Sequence, residues 1–406
     1  MFSLMQLPIY LDHHSTTPVD PRVLEEMLPY FSKEFGNAAS RTHPYGWRAQ
    51  EALEKARSEV QALLGAGRDT VIFTSGATES DNLAVFGAAE ALRERGDHIV
   101  TSAIEHHAVL DAVKTLEKRG FSATFLKPDR TGRIEPDQVA EAITPRTVLV
   151  SIMTANNEIG TVNPVGEIAA AARARGVLFH TDAAQAVGKI PLNVGEQGID
   201  ILSLSAHKLY GPKGVGALYV RRSGIPVKVV PLFFGGGHER GVRPGTPNVP
   251  GAVGLAAALR IAARDMEAES RRVRALRDRL HQGITAALDG VSLNGHETER
   301  LPGSLNLSFR GVPGEALLVS LRDVAVSSGS ACTSASVEPS YVLRAIGVSA
   351  ALAHASIRFG LGRWNTEEEI DHAVRHVVAT VQQLRAMHRT VVGRSRGGAG
   401  AAKPVS

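Results

Sequence analysis

The chain has 406 residues, of which 43% are hydrophobic and 21% charged, a composition typical of a globular protein large enough for two domains. Its apolar runs are shorter than the roughly 20 residues of a membrane helix, and its first ten residues lack a cationic start, so we expect a cytoplasmic protein without anchor or secretory signal. The net charge of +4 equals that of the tail at 389–406, and the neutral remainder argues against nucleic acid as a partner.

Short apolar runs alternate with helical stretches between residues 70 and 220. The runs lie at residues 70–73, 98–102, 123–126, 148–153, 177–180, 201–205 and 214–220. Most are apolar throughout, as strands buried on both faces are. This pattern predicts an α/β fold whose large domain has a mainly parallel central sheet covered by helices.

A long helical pattern follows at residues 252–288, with Gly283 as the candidate position of a break. Its length is typical of a bridge between domains. Two apolar runs come next, at residues 304–309 and 317–321, and a smaller α+β unit continues to residue 388. We therefore expect a large domain at 14–262, a small domain formed by 1–13 and 263–388, and a disordered, basic, Gly/Ala-rich tail at 389–406.

Polar residues directly follow five of the predicted strands. These groups are Ser75 to Ser80, Glu105 to His107, Asn156 to Glu158, Asp182 to Gln185, and Ser205 to Lys208. Any one of them could be an ordinary surface or capping residue. Because the carboxyl ends of parallel strands converge on one crevice, their shared position predicts a single site.

The residue types in this set indicate one cofactor. Ser75, Gly76 and Thr78 lie where a strand turns into a helix, and the amides and dipole there favour a phosphate. Lys208 can form a Schiff base with an aldehyde, and Asp182 can keep a pyridine nitrogen protonated. A phosphate, an aldehyde and a pyridine together describe pyridoxal 5'-phosphate.

Long, uncommon strings at these positions resemble the cysteine desulfurases of the housekeeping IscS/NifS type. These are pyridoxal-phosphate enzymes of fold type I in the class V aminotransferase family. The matching strings lie at residues 74–82, 156–160, 205–216, 235–246 and 327–336, and the resemblance extends from Tyr10 to about His376. It implies a homodimer that removes sulfur from L-cysteine, releases L-alanine and keeps the sulfur as a persulfide on Cys332.

The resemblance also implies a role for each matching residue around the cofactor ring. Lys208 would form the Schiff base, Asp182 would pair with the ring nitrogen, and Gln185 would bond the ring hydroxyl. His106 would stack on the ring and take part in proton transfer.

Other matching residues would hold the phosphate and the substrate. The phosphate would bind Ala77, Thr78, Ser205 and His207, and Thr246 would reach the phosphate of the other subunit. Asn157 would lie beside the cofactor and hold the substrate carboxylate together with Arg358.

Cys332 is the only cysteine, which excludes an internal disulfide or a cysteine cluster. It lies among Ser, Gly, Ala and Thr without apolar periodicity, so we expect a mobile loop suited to a nucleophile and sulfur carrier. The implied partners are an iron–sulfur scaffold protein and other sulfur acceptors, including those for tRNA thiolation. No metal site of the protein's own is expected, although Cys332 could ligate a cluster shared with the scaffold.

The chain departs from the family pattern at three places: His13 and His14, Pro244, and the tail, where the family's scaffold-docking segment is not recognisable. Paired histidines are too few ligands for a metal site. Two alternatives to a desulfurase stay open. One is a selenocysteine lyase or other class V enzyme, and the other is a non-catalytic binding protein. The second would be expected to lack Lys208 or Asp182, and both are present.

Overall fold

The computed structural model describes residues 6–224, 226–328 and 338–397, without the side chains of 389–397. Its first elements are β1 (Ile9–Tyr10), α1 (Pro21–Met27), α2 (Pro29–Ser32) and α3 (Pro44–Leu63). No helix in these ranges is long and apolar enough to cross a membrane.

A seven-stranded sheet lies at the centre of the larger half. Its strands are β2 (Val71–Thr74), β3 (His98–Ser102), β4 (Ser122–Leu126), β5 (Thr147–Ser151), β6 (Leu178–Asp182), β7 (Ile201–Ser205) and β8 (Gly216–Val220). They lie in the order β2-β8-β7-β6-β5-β3-β4, and only β8 pairs antiparallel with its two neighbours. The predicted mainly parallel sheet is confirmed, with strand ends shifted by at most two residues.

Helices cover both faces of this sheet, as the uninterrupted apolar runs predict. They include α4 (Ala77–Ala91), α5 (His107–Glu117), α6 (Pro136–Ala142) and α7 (Val165–Ala174). Consecutive strand residues enter different cores, because side chains alternate along a strand. One core contains Ile72, Ile99, Leu149 and Ile201, and the other contains Phe73, Val100, Val150 and Leu202.

The smaller half contains a three-stranded antiparallel sheet in the order β12-β10-β9. The elements that follow the large sheet along the chain are α8 (Val249–Ala287), β9 (Val291–Leu293), β10 (Ser304–Phe309), α9 (Gly314–Ser320), β11 (Val324–Ala325), α10 (Tyr341–Ala345), α11 (Ala350–His354), β12 (Ser356–Gly360) and α12 (Glu367–Gly397). Of the two predicted apolar runs, the first is β10, and most of the second belongs to helix α9. Strand β1, near the N-terminus, also belongs to this half and pairs with β11.

Helix α8 continues for 39 residues, so the break predicted near Gly283 is wrong. A Cβ on Gly283 would lie 2.8 Å from a methyl carbon of Val374 in α12. The glycine therefore allows two helices to approach closely, and its intrinsic cost to a helix of ~1 kcal/mol does not interrupt α8.

Helix α12 extends to Gly397, past residue 389, where we predicted the disordered tail to begin. Residues 389–392 contain neither glycine nor proline to stop it. Residues 398–406 lie outside the described part of the chain.

The proposed domain boundaries stay a prediction, which the distribution of buried apolar residues supports. The N-terminal half of α8, up to Ile261, packs into the core beneath the large sheet. Its C-terminal half, from Val273 onward, packs with Ile9 and Leu11 into the core of the smaller half.

Candidate active site

A cavity of about 550 Å³ lies at the carboxyl ends of β2, β3, β5, β6 and β7. Ten of the predicted site residues line it: Ala77, Thr78, His106, Asn157, Asp182, Gln185, Ser205, His207, Lys208 and Arg358. Thr246 is exposed and is not among the residues that line it, and Cys332 lies outside the described residues. The structure thus brings these ten residues together, while their individual roles stay predictions.

The N-terminus of α4 opens into this cavity. Gly76 precedes the helix with a φ of +153° and supplies no side-chain cap, and the first helical residues, Ala77 and Thr78, line the cavity. Strand β8 crosses close behind, because a Cβ on Gly216 would lie 2.7 Å from the Cα of Gly76. This turn is suited to a bound anion.

Lys208 ends a short 3₁₀ helix, Ala206–Lys208, that follows β7. Its Nζ donates hydrogen bonds to the backbone oxygens of His14 at 2.7 Å and Ser15 at 2.6 Å. On the same segment, Thr16 Oγ1 lies 3.1 Å from His207 Nδ1. The chain between β1 and α1 therefore forms one wall of the cavity and orients the amine.

Asp182 and His106 lie near each other at the ends of β6 and β3. Burial raises the pKa of the Asp182 carboxyl, and the nearby His106 imidazole opposes that shift. Burial also lowers the pKa of His106. Since His106 Nδ1 accepts a hydrogen bond from the Ala108 amide at 3.1 Å, the neutral ring carries its proton on Nε2.

Arg358 is 3% exposed and lies between the N-terminal segment and the loop that follows β5. Its Nη2 donates to Asp12 Oδ1 at 2.9 Å and to Ser15 Oγ at 2.6 Å, and its Nη1 donates to the backbone oxygen of Asn157 at 3.0 Å. Arg358 Nε and Asn157 Oδ1 are buried without a hydrogen-bond partner among the described residues. Such unsatisfied groups in a cavity are expected to bind a ligand.

Two buried acids, Glu105 and Glu158, lie close to the residues that line the cavity. Burial raises the pKa of Glu105 to about 8, and its Oε1 accepts hydrogen bonds from Ser102 Oγ at 2.9 Å and the Met153 amide at 3.0 Å. Tyr341, which lines the cavity, donates its hydroxyl to the Glu105 backbone oxygen at 2.6 Å. A second acid, Glu158, has its pKa raised by burial to about 7.

Sequence reasoning missed the contribution of residues 12–16 and of Tyr341. The segment attracted attention only through its paired histidines, and its main contacts with Lys208 use backbone oxygens, which carry no residue signature. Within the described ranges, no group of three or more His, Cys, Asp or Glu residues is placed to hold a metal ion. The absence of a metal site of the protein's own stays a prediction.

Comparisons with known proteins agree with this geometry. The family model for class V aminotransferases matches residues 9–373. The chain is 58% identical over 383 residues to the cysteine desulfurase IscS of Anaeromyxobacter dehalogenans (strain 2CP-C), a match that covers 94% of this chain and 95% of that protein. The chain belongs to the class V aminotransferase family and, within it, to the cysteine desulfurases.

Solved structures of this family share the fold. A NifS-like protein superposes with a TM-score of 0.86 at 37% identity and covers 93% of this chain and 100% of its own. The protein SspA, solved in complex with cysteine, superposes with a TM-score of 0.78 at 38% identity and covers 88% and 100%. The resemblance and the fold type predicted from the sequence are both confirmed.

Replacing the buried acid Glu105 by its neutral isostere should change how stability depends on pH. Because the folded-state pKa of about 8 lies above the ordinary 4.5, folded Glu105 keeps its proton while the unfolded chain loses it, so wild-type stability falls as pH rises between those values. Glu105→Gln lacks this ionisation. Its unfolding free energy relative to wild type should rise by roughly 2–4 kcal/mol from about pH 5 to about pH 8.

Urea unfolding of the two proteins at both pH values measures this difference. Glu117→Gln, which changes an exposed acid on α5, is the control and should show no such trend. Parallel stability curves for Glu105→Gln and wild type would mean that Glu105 is ionised in the folded protein.

Proposed function

We propose that the protein uses pyridoxal 5'-phosphate to remove sulfur from L-cysteine, releases L-alanine and carries the sulfur as a persulfide on Cys332. The observation that carries the proposal is that a lysine amine, a buried carboxyl and the open N-terminus of α4 meet in one cavity. The printed name of the relative from Anaeromyxobacter, cysteine desulfurase, supports the same reaction.

The residues present fit the cofactor. The N-terminus of α4 would bind its phosphate, together with Ala77, Thr78, Ser205 and His207. Burial raises the pKa of Asp182, and a protonated ring nitrogen would stabilise that carboxyl as an anion. Gln185 would donate to the ring hydroxyl. When bound, the cofactor supplies an aldehyde that links to amines, including Lys208, and a ring that accepts electrons from the substrate carbon.

The substrate would bind through its carboxylate. The Nε of Arg358 is a buried donor without a described partner, and a carboxylate beside it would complete its hydrogen bonds. Asn157 would lie on the other side, where its side-chain oxygen also lacks a described partner. These contacts would orient the cysteine side chain toward the cavity mouth.

Three residues of this chain would then move protons and sulfur. The amine of Lys208 would take the proton from the substrate α-carbon, and His106 would hold or return a proton at Nε2. The thiolate of Cys332 attacks the substrate sulfur, so a sulfur–sulfur bond forms as the carbon–sulfur bond breaks. Cysteine and the enzyme thiol become alanine and an enzyme persulfide, without an external oxidant.

The chain on either side of Cys332 supports this assignment. The Arg358 amide donates a hydrogen bond of 2.8 Å to the Ser327 backbone oxygen, and Tyr341 lines the cavity. Cys332 follows Ser328 by four residues, a span of up to about 14 Å in extended chain. The described residues on both sides of Cys332 therefore lie beside the site, and a thiol on the chain between them could reach it.

A homodimer with shared sites is part of the proposal. Thr246 is exposed and is not among the residues that line the described cavity, as expected of a residue that serves the other subunit. The loop that carries Thr246 is anchored nearby, because Arg243 Nε lies 2.9 Å from Glu79 Oε1 at the start of α4. An iron–sulfur scaffold protein and other sulfur acceptors would take the persulfide in the cytoplasm.

Cys332→Ser tests the proposed function most specifically, because the chain has no other cysteine. A serine hydroxyl without an activating base is a poor nucleophile, so sulfur transfer to a protein acceptor should fall at least ~100-fold. The variant should still bind the cofactor and still change its absorbance when cysteine is added. In wild type, cysteine should add the mass of one sulfur atom to the peptide containing Cys332.

The alternatives give different results. Unchanged alanine production by Cys332→Ser, with no sulfur found on the wild-type peptide, would favour a selenocysteine lyase or another class V enzyme. Failure of the wild-type protein to bind pyridoxal phosphate would favour a non-catalytic binding protein.

Mixed dimers test the shared site. Thr246→Ala should weaken cofactor retention, and Lys208→Ala should remove the covalent link to the cofactor. A dimer with one chain of each kind contains one site with both residues intact, so it should regain about half of the wild-type covalent cofactor per dimer. With mixed dimers verified by two affinity tags, a lack of recovery would contradict the sharing of sites between subunits.

A further inference from the structure

A second, smaller cavity of about 40 Å³ lies behind Lys208. It is bounded by two lysines, Lys208 and Lys189, and by His14 and Glu269. The remaining walls are largely apolar, so the polar groups of this space are concentrated at these side chains. The proposed cofactor site therefore borders a small cavity on the side of Lys189, a residue to which the proposed mechanism gives no role.

A chain of hydrogen bonds joins Lys189 to the active site. Lys189 Nζ donates to Gln185 Oε1 at 3.0 Å, and Gln185 Nε2 donates to the His14 backbone oxygen at 2.9 Å. The same oxygen accepts from Lys208 Nζ at 2.7 Å. Gln185 is thus held at both ends of its amide, by an amine on one side and a carbonyl on the other.

These two contacts allow only one orientation of the Gln185 amide. Turning it over would place its NH₂ group against the Lys189 amine and its oxygen against the His14 carbonyl. In the orientation present, Nε2 keeps a second N–H that is not used by His14, and Gln185 lines the large cavity. That N–H is suited to an anionic oxygen of a bound molecule.

The backbone around Lys189 is itself constrained. Gly188 has a φ of +76°, and a Cβ there would lie 2.9 Å from the Ala262 side chain of α8, so a glycine is required at this turn. Ser270 Oγ donates to the Lys189 backbone oxygen at 2.9 Å. A tight turn that packs against α8 therefore places Lys189 next to Gln185.

Charged groups from several elements face the Lys189 amine. Burial and the nearby Lys208 and Arg358 lower the pKa of Lys189 to about 7, while Glu269 acts in the opposite direction. The neighbouring histidines are uncharged near neutral pH, because burial lowers the pKa of His13 to about 4 and holds that of His14 well below its ordinary value. Lys189 can thus donate to Gln185 in either protonation state.

We propose that Lys189 is a positioning residue that fixes the Gln185 amide, so that Gln185 donates Nε2–H to the ring oxygen of the cofactor. The inference rests on the proposed function for the identity of the ring oxygen. A hydrogen bond donated to the ring oxygen makes that oxygen a weaker acceptor for the proton on the nitrogen that links Lys208 to the cofactor. Lys189 therefore lowers the pH at which the Lys208-bound cofactor loses that proton.

Lys189→Met, Lys189→Arg, Gln185→Leu and the double variant Lys189→Met/Gln185→Leu test this role. The midpoint pH of the cofactor absorbance change should rise in Lys189→Met by about half a pH unit to one unit. Lys189→Arg keeps a donor and should stay near wild type. In the Gln185→Leu background, Lys189→Met should add much less, because the group it positions is gone.

A purely structural role for Lys189 would lower the unfolding temperature and leave the midpoint pH unchanged, and that result would overturn the proposal. Equal shifts in the presence and absence of Gln185 would overturn it as well, since they would mean that the charge of Lys189 acts directly.

A second measurement needs neither cofactor nor cysteine and so separates this inference from the proposed function. In a crystal structure of the Lys189→Met apoprotein, Gln185 should occupy more than one side-chain conformation. A single conformer identical to that of wild type would contradict the positioning role even if Lys189→Met does not retain the cofactor.

Discussion

The hydrogen bonds from Lys208 to the backbone oxygens of His14 and Ser15 are the contact on which the site depends. They tie the end of β7 to a segment that also belongs to the smaller half of the protein. Arg358 in β12 reaches the same segment through Asp12, and the His13 amide donates to the Gly360 oxygen at 3.0 Å. A few N-terminal residues therefore hold the large sheet, the small sheet and the Lys208 amine in one geometry.

The same cavity contains two buried groups that the described protein atoms do not satisfy. Burial raises the pKa of the Asp182 carboxyl, and Arg358 keeps one buried donor without a described partner. A ligand with a protonated ring nitrogen and an amino-acid carboxylate would satisfy these two groups. This complementarity is the physical basis of the proposed function.

The sequence allowed prediction of the sheet and of the site at its edge, because buried parallel strands are uninterrupted apolar runs and the polar residues at their ends stand out. It was misleading at Gly283, where the glycine signals close packing on Val374 and the helix continues. It also could not reveal the segment before α1, whose contacts with Lys208 use backbone atoms, nor the link from Lys189 to Gln185, which only the fold brings together.

The most direct test of the account is to identify the lysine that binds the cofactor. Borohydride reduction of the native protein followed by peptide mapping should place the cofactor mass on the peptide containing Lys208. Lys189 is the informative rival, because its amine borders the same interior and burial lowers its pKa to about 7. Cofactor on Lys189, or on any lysine other than Lys208, would contradict the assignment of the site.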